Sequence, residues 1–185
     1  QPPGLALRCA TADAAEAVAL SAEAGWNQTV DDWSLMLGFG QGFGRRHDRL
    51  LVGTALVLPY PPFAWIAMVL VTKAWQRRGL ATELLRTCID DAQSRGFVPG
   101  LDATPAGREV YRPLGFEDVY GLTRMRAERV AAASTTPGAV RAMTATDLDA
   151  VSAFDRNLFG AERTQVLKHL RRRQREGRER RAPVG

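Results

Sequence analysis

The sequence predicts a mixed α/β fold, and three observations carry that reading. Two apolar runs, Leu50 to Tyr60 and Phe63 to Val71, flank the turn "PYPP" and read as a strand pair. Long stretches on either side place apolar residues at helical spacing. The order is β, α, α, then β, β, α, β, α, β. A sheet that begins with hairpins and goes on to strand–helix crossovers must hold both antiparallel and parallel neighbours.

The elements follow in order. "LALRCAT" (Leu5 to Thr11) alternates apolar with other residues and reads as a strand. "ADAAEAVALSAEAG" is alanine-rich with helical spacing and closes at Gly25. In "WNQTVDDWSLML", Thr29 is the expected N-cap. Asp31 and Asp32 fall in the first turn, and Trp33, Met36 and Leu37 share one face. "GFGQGFGRRHDR" reads as a loop or hairpin approach. Its glycines resemble a phosphate loop, but the Lys-Ser/Thr is absent and no apolar strand precedes it.

Phe63 to Val71 is almost wholly apolar, as expected for a strand covered on both faces. After Gly79, a helix aligns Leu80, Leu84, Leu85, Cys88, Ile89 and Ala92 on one stripe and ends at Gly96. "VPGLDAT" reads as a short strand and "PAGREVYRPLG" as a short helix with Pro105 near its start. "FEDVYGLTRMRAE" reads as a last strand.

Composition narrows the function classes. The 185 residues are 45% hydrophobic, enough for a sizeable core, and no window approaches a membrane span. The N-terminal "QPPGLALRCA" lacks the pattern of a secretory signal, so the expectation is a soluble cytoplasmic protein with no membrane role. The formal net charge is +5. Residues 171–185 hold seven arginines and two glutamates, 7 − 2 = +5, so residues 1–170 are neutral. The basic balance therefore belongs to the tail, and nucleic-acid binding is not the expected function. Cys9 and Cys88 are far apart, and His47 and His169 stand in polar or basic surroundings. No metal site and no Cys-His nucleophile pair is expected, and both cysteines read as reduced core residues.

"VTKAWQRRGLATELL" (Val71 to Leu85) carries the chemistry. A strand runs through a glycine turn into a helix, whose first backbone N–H groups lack internal partners and sit at the positive end of the dipole. Gly79 permits close approach and positive φ. Arg77 and Arg78 bring fork-shaped donors suited to phosphate, Ala81 keeps the next turn open, and Thr82 adds a hydroxyl. The stretch reads as a pyrophosphate cradle, with a helix start bearing two surface arginines as the alternative.

"QRRGLA" (Gln76 to Ala81) matches the Gln/Arg-x-x-Gly-x-Gly/Ala motif of the GNAT N-acetyltransferase superfamily, and "YRPLGF" (Tyr111 to Phe116) resembles its Tyr-x-x-x-Gly-Phe segment. The strand "MVLV" and the element order fit as well, and the resemblance covers about Leu5 to Arg126. The resemblance implies an acyl-CoA N-acyltransferase fold, its mixed sheet splayed between strands four and five. It also implies acetyl-CoA as co-substrate. The pantetheine arm would pair with the backbone of Val69, Leu70 and Val71 like an added strand. The pyrophosphate would rest on Gln76, Arg77, Arg78, Gly79, Leu80, Ala81 and Thr82, and Tyr111 would protonate the departing thiolate, with a core aromatic on a short helix as the alternative.

Two departures stand out. Thr104-Pro105-Ala106-Gly107 replaces the Asn-x-x-Ala of many relatives, leaving Thr104 as the group that would bond the cofactor or a water. No carboxylate lies between Leu50 and Val71, so Asp102 is the nearest candidate base, with a solvated strand-end residue as the alternative. The segment "GWNQTVDDW" occupies the place that usually lines the acceptor pocket. Trp26 and Trp33 would be apolar walls or core, Asn27 and Gln28 would read an amide or carboxylate, and Tyr60 and Phe63 would extend the wall.

The resulting expectation is N-acetyl transfer to the amine of a small molecule or amino-acid-like acceptor by direct attack. A non-catalytic acyl-CoA-binding or interaction module is the alternative. Residues 1–129 form the catalytic domain in this reading and residues 130–137 a linker. Residues 138–185 then open a second, incomplete copy. "VRAMTATDLDAV" (Val140 to Val151) echoes "LRCATADAAEAV" (Leu7 to Val18) with five identities at an offset of 133. The segment is expected to supply a strand and a helix capped by Thr146, to dock through its helix, and to be disordered beyond about Arg173. It is not expected to be needed for catalysis, and a homodimer through it is a further expectation.

Overall fold

The computed structural model describes residues 7–123, 125, 127 and 141–179. The elements are β1 (Leu7–Cys9), α1 (Ala14–Glu23), α2 (Val30–Phe39), β2 (Gln41–His47), β3 (Leu50–Tyr60) and β4 (Phe63–Val71). They continue with α3 (Leu80–Ser94), β5 (Val98–Gly100), α4 (Pro105–Tyr111), α5 (Leu148–Phe159) and α6 (Thr164–Glu179). The sheet order is β1-β2-β3-β4-β5. The first three pairings are antiparallel, and β4 runs parallel to β5. The mixed sheet that the element order predicts is thus the one that forms.

Helices cover both faces. On one face α1 and α2 bury Ala14, Ala17, Leu20 and Trp33 against Leu56, Leu58, Met68 and Leu70. On the other, α3 buries Leu84, Leu85, Cys88 and Ala92 against Phe43, Ala55, Val57, Ala64 and Ile66. The α3 stripe is the one its periodicity dictates, and each large side chain in it contributes about 1.5–3 kcal/mol of burial. α2 starts as the sequence requires: the Thr29 hydroxyl oxygen accepts from the Asp32 N–H (3.3 Å), and the Asp32 carboxylate accepts from the Thr29 N–H (2.8 Å). Both cysteines are free thiols, and burial pushes that of Cys9 up to about 11.

Several sequence expectations are corrected. The glycine-rich stretch read as a loop is β2, paired along its length with β3. Its glycines serve close approach: a Cβ on Gly42 would lie 2.4 Å from Leu37 Cδ2, and one on Gly44 2.5 Å from Cys9 Sγ. The segment Phe116 to Thr123, read as part of a last strand, has no strand structure. Of the two readings left open for Trp33, core is the one the fold takes: it is 1% exposed, with its Nε1–H donating to Ser21 Oγ at 2.9 Å.

Differences appear in the C-terminal segment too. Residues 141–144 form no strand, and α5 follows Asp147, with Thr146 outside the cap. The Asp147 carboxylate accepts from the Thr144 N–H at 2.7 Å, as Asp13 accepts from the Ala10 N–H at 2.8 Å. These two carboxylates are 147 − 13 = 134 residues apart, one more than the identities require. α6 continues as helix to Glu179, past Arg173, because consecutive helix-favouring residues extend it. The proposed linker, 130–137, lies outside the described residues, as does residue 180 onward.

The C-terminal helices lie against the α2 side of the sheet. Phe159 stacks edge-on to Tyr60 (5.1 Å) and Phe63 (5.5 Å). Arg163 sits 3.9 Å over the Phe159 ring while bonding both oxygens of Asp155. Arg173 reaches Asp32 at 2.5 Å.

Candidate functional site

The site is built on β4. Its β3 edge is paired from Phe63 to Val71, but β5 pairs only with Phe63, Ala64 and Trp65. Beyond Trp65 the β5-side edge of β4 has no strand partner among the described residues, so backbone donors and acceptors are left facing a cleft. This is the expected splay between strands four and five.

A β-bulge interrupts the same stretch. Thr54 pairs with Leu70 and Leu56 with Ala67, so Met68 and Val69 together oppose Ala55. Met68 takes φ +53°, a left-handed conformation costly for an unbranched residue without a compensating contact. The contact is Thr54, 2% exposed, whose hydroxyl donates to the Met68 carbonyl at 3.0 Å. The bulge also resets the alternation of side chains. Ala67, Met68 and Leu70 pack with the α1–α2 cluster, while Val69 packs with the α3 cluster. Sequence reasoning missed both Thr54 and the bulge. The one signal was a hydroxyl inside an otherwise apolar strand.

β4 leads into the cradle. Gly79, the N-cap of α3, has φ +81° with open space where a Cβ would stand. Arg77 also adopts positive φ, +60°. The first bond of α3 runs from the Glu83 N–H to the Gly79 carbonyl, so the N–H groups of Leu80, Ala81 and Thr82 have no intrahelical acceptor. The neighbouring side chains differ in what they do. Gln76 donates to the Val71 carbonyl (3.0 Å) and ties the turn to the strand end. Arg78 folds back onto the Ala74 carbonyl (3.0 Å) and over the Trp75 ring (4.6 Å). Arg77 is exposed and makes no hydrogen bond or ion pair with the described residues.

On the far side of the cleft stands α4. Tyr111 is half-buried and packs on the same cluster as Val69, and burial raises its phenol pKa. Its ring folds back over Gly107, where a Cβ would meet Cε2 at 2.9 Å and the hydroxyl at 3.1 Å. Glycine inside α4, unfavourable by about 1 kcal/mol against alanine, is what lets the tyrosine lie there. Thr104 is the N-cap of α4, its oxygen accepting from the Gly107 N–H at 3.1 Å, which leaves its own hydrogen to donate. Asp102 stands exposed in the irregular stretch between β5 and α4.

An unpaired strand edge, a bulge and an amide-lined helix start thus succeed one another along one stretch of chain. Residues 13–116 match the sequence model of the acetyltransferase (GNAT) family. The chain belongs to that family. Its architecture is shared with a protein from Pyrococcus horikoshii described as an acetyltransferase. That match has 21% identity and a TM-score of 0.69, covering 94% of this chain and 63% of the other. A GNAT-family protein from Novosphingobium aromaticivorans matches at 28% identity and a TM-score of 0.52, covering 63% of this chain and 52% of that one. A protein from Clostridium acetobutylicum, described as an acetyltransferase and solved with acetyl-CoA, matches at 16% identity and a TM-score of 0.55. It covers 65% of this chain and 94% of the other. The chain therefore spans between half and two thirds of the length of the first two. No curated protein matches it.

The residues expected to border an acceptor come from distant pieces of this GNAT chain. Trp26 is half-buried against the α1–α2 cluster, as are Tyr60 and Trp65. Asn27 is exposed. Gln28 has a buried side-chain oxygen with no partner among the described residues. Tyr60 and Phe63 do form a wall, but Phe159 of α5 covers them. Among the described residues no helix is long and apolar enough to cross a membrane, and no group of three His, Cys, Asp or Glu is placed to hold a metal.

Proposed function

We propose that the chain is an acetyl-CoA-dependent N-acetyltransferase acting on the amine of a small molecule or amino-acid-like acceptor. The observation that carries this is the continuity of the open β4 edge, the bulge at Met68 and the cradle at Arg77 to Thr82. The backbone of Val69, Leu70 and Val71, on the edge of β4 that no described strand pairs, fits a pantetheine arm as an added strand. The amides of Arg77 to Thr82, with the Arg77 guanidinium that has no partner among the described residues, fit a pyrophosphate. Gln76 shapes the turn, and the Thr104 hydroxyl is free to donate across the cleft.

Bound acetyl-CoA supplies an acetyl group activated as a thioester. The acceptor amine attacks its carbonyl carbon directly, the C–S bond breaks, and the proton lost by the nitrogen passes to water or to Asp102. A backbone N–H at the bulge receives the developing oxyanion. The Tyr111 phenol, its proton held by burial, donates to the leaving thiolate. Trp26, Asn27 and Gln28 border the acceptor, and the unpartnered Gln28 oxygen is suited to an N–H of that acceptor.

The test is an amine panel with acetyl-CoA, read by thiol release and by mass of the acetylated product. Acetylation of at least one class of amine is expected. Proven acetyl-CoA binding with no turnover across a broad panel would replace this reading with an acyl-CoA-binding module.

A further inference from the structure

We propose that the groove between α2 and α6 is a binding site for a small amphipathic organic anion, one with a carboxylate or phosphate head on a short apolar body. The groove has a volume of about 620 Å³. Leu35, Gly38 and Phe39 of α2 supply an apolar wall, and Lys168 and Arg172 of α6, with His169 beside them, supply a polar wall that carries positive charge. Ser34 and Gln165 add neutral polar groups, and no carboxylate among the described residues lines the space. The nearest acids of α2, Asp31 and Asp32, are engaged by Arg173 instead.

His169 gives the independent observation. Arg172 Nη2 lies 3.3 Å from His169 Nδ1. A guanidinium only donates, so Nδ1 is the acceptor and the neutral ring carries its hydrogen on Nε2. That Nε2 is buried with no partner among the described residues. A buried donor without an acceptor is costly. His169 itself lines the groove, where an anion would supply the missing acceptor. Lys168, exposed and without an ion pair among the described residues, brings the compensating charge. The site is separate from the β4 cleft and does not depend on the acetyl-transfer reading.

Calorimetry of the full chain, saturated with acetyl-CoA, tests this with octyl phosphate and octanoate as probes and octyl glucoside as the neutral control. Binding of at least one anionic probe is expected, and the pair separates a phosphate preference from a carboxylate one. Lys168→Glu should weaken it about tenfold or more, as loss of a charge-assisted contact does, and His169→Leu should weaken it as well. Neither change should alter acetyl-CoA affinity. Raised salt should weaken anion binding further. Equal binding of octyl glucoside, unchanged affinity in Lys168→Glu, or no binding of either anion at millimolar concentration would each overturn the proposal.

Discussion

The two faces of β4 were built by different means. On the side proposed for the cofactor, the edge, the bulge and the cradle lie within 15 residues, Met68 to Thr82, and two positive-φ residues shape the turn between them. On the side proposed for the acceptor, Phe159 of α5 meets Tyr60 and Phe63 at the end of one hairpin only because distant segments converge, and Trp26 comes from a third segment. The first is a contiguous device that survives in any chain able to form one strand, one turn and one helix. The second depends on how distant elements dock, and docking varies with every side chain at the contact.

Substitutions can sharpen that contrast. The largest effect is expected from Tyr111→Phe, which removes the proposed acid while keeping the ring. Turnover should fall by roughly 10²–10⁴-fold with acetyl-CoA affinity unchanged, measured by steady-state kinetics beside calorimetry. An unchanged rate would leave Tyr111 as a packing residue.

The cradle comes next. Arg77→Glu should weaken acetyl-CoA binding by about 1.5–3 kcal/mol. Arg78→Glu should do less, because its guanidinium is already held by Ala74 and Trp75. Equal losses in the two variants would mean that Arg78 leaves Trp75 when the cofactor binds.

Thr54→Val probes the bulge from behind. It strands the Met68 carbonyl without its donor and should cost about 1–3 kcal/mol of stability, read by chemical denaturation. Thr54→Ser should recover most of it. If Val and Ser variants behave alike, the hydroxyl does not hold the bulge.

The smallest effect concerns pH. Asp118 is bonded by Arg108 and Arg112, which hold its carboxyl down at about 2, against an unfolded value near ~3.9. A depressed folded value means that its contribution is complete above about pH 4 and is lost as pH falls toward 2. Carboxyl NMR should show Asp118 titrating near that lower value, and a normal midpoint would show that the link to α4 is not kept in solution.

How far the sequence alone could be read follows the same division. The helix stripe of α3, the Thr29 cap, the hairpin at "PYPP" and the turn at Gly79 are all local: periodicity, capping chemistry and a positive-φ requirement lie within a few residues of one another. They were legible for that reason, and so was the cradle. The strand status of Gln41–His47 was not, because glycines that look like flexibility were there to admit Leu37 and Cys9, residues near only after folding. Nor was the role of Trp33, whose place in the core depends on Ser21 twelve positions earlier. Thr54 gained its meaning from a carbonyl across the sheet, and Gly107 from a tyrosine ring turned back over it. The sequence by itself determined most of the element types, their order and the glycine turn into α3, because those rest on backbone preference and short-range spacing. Only the tertiary structure decided which edge of β4 stays open, where the strand bulges and what covers Tyr60 and Phe63, because each requires groups far apart in the chain to be brought within contact distance.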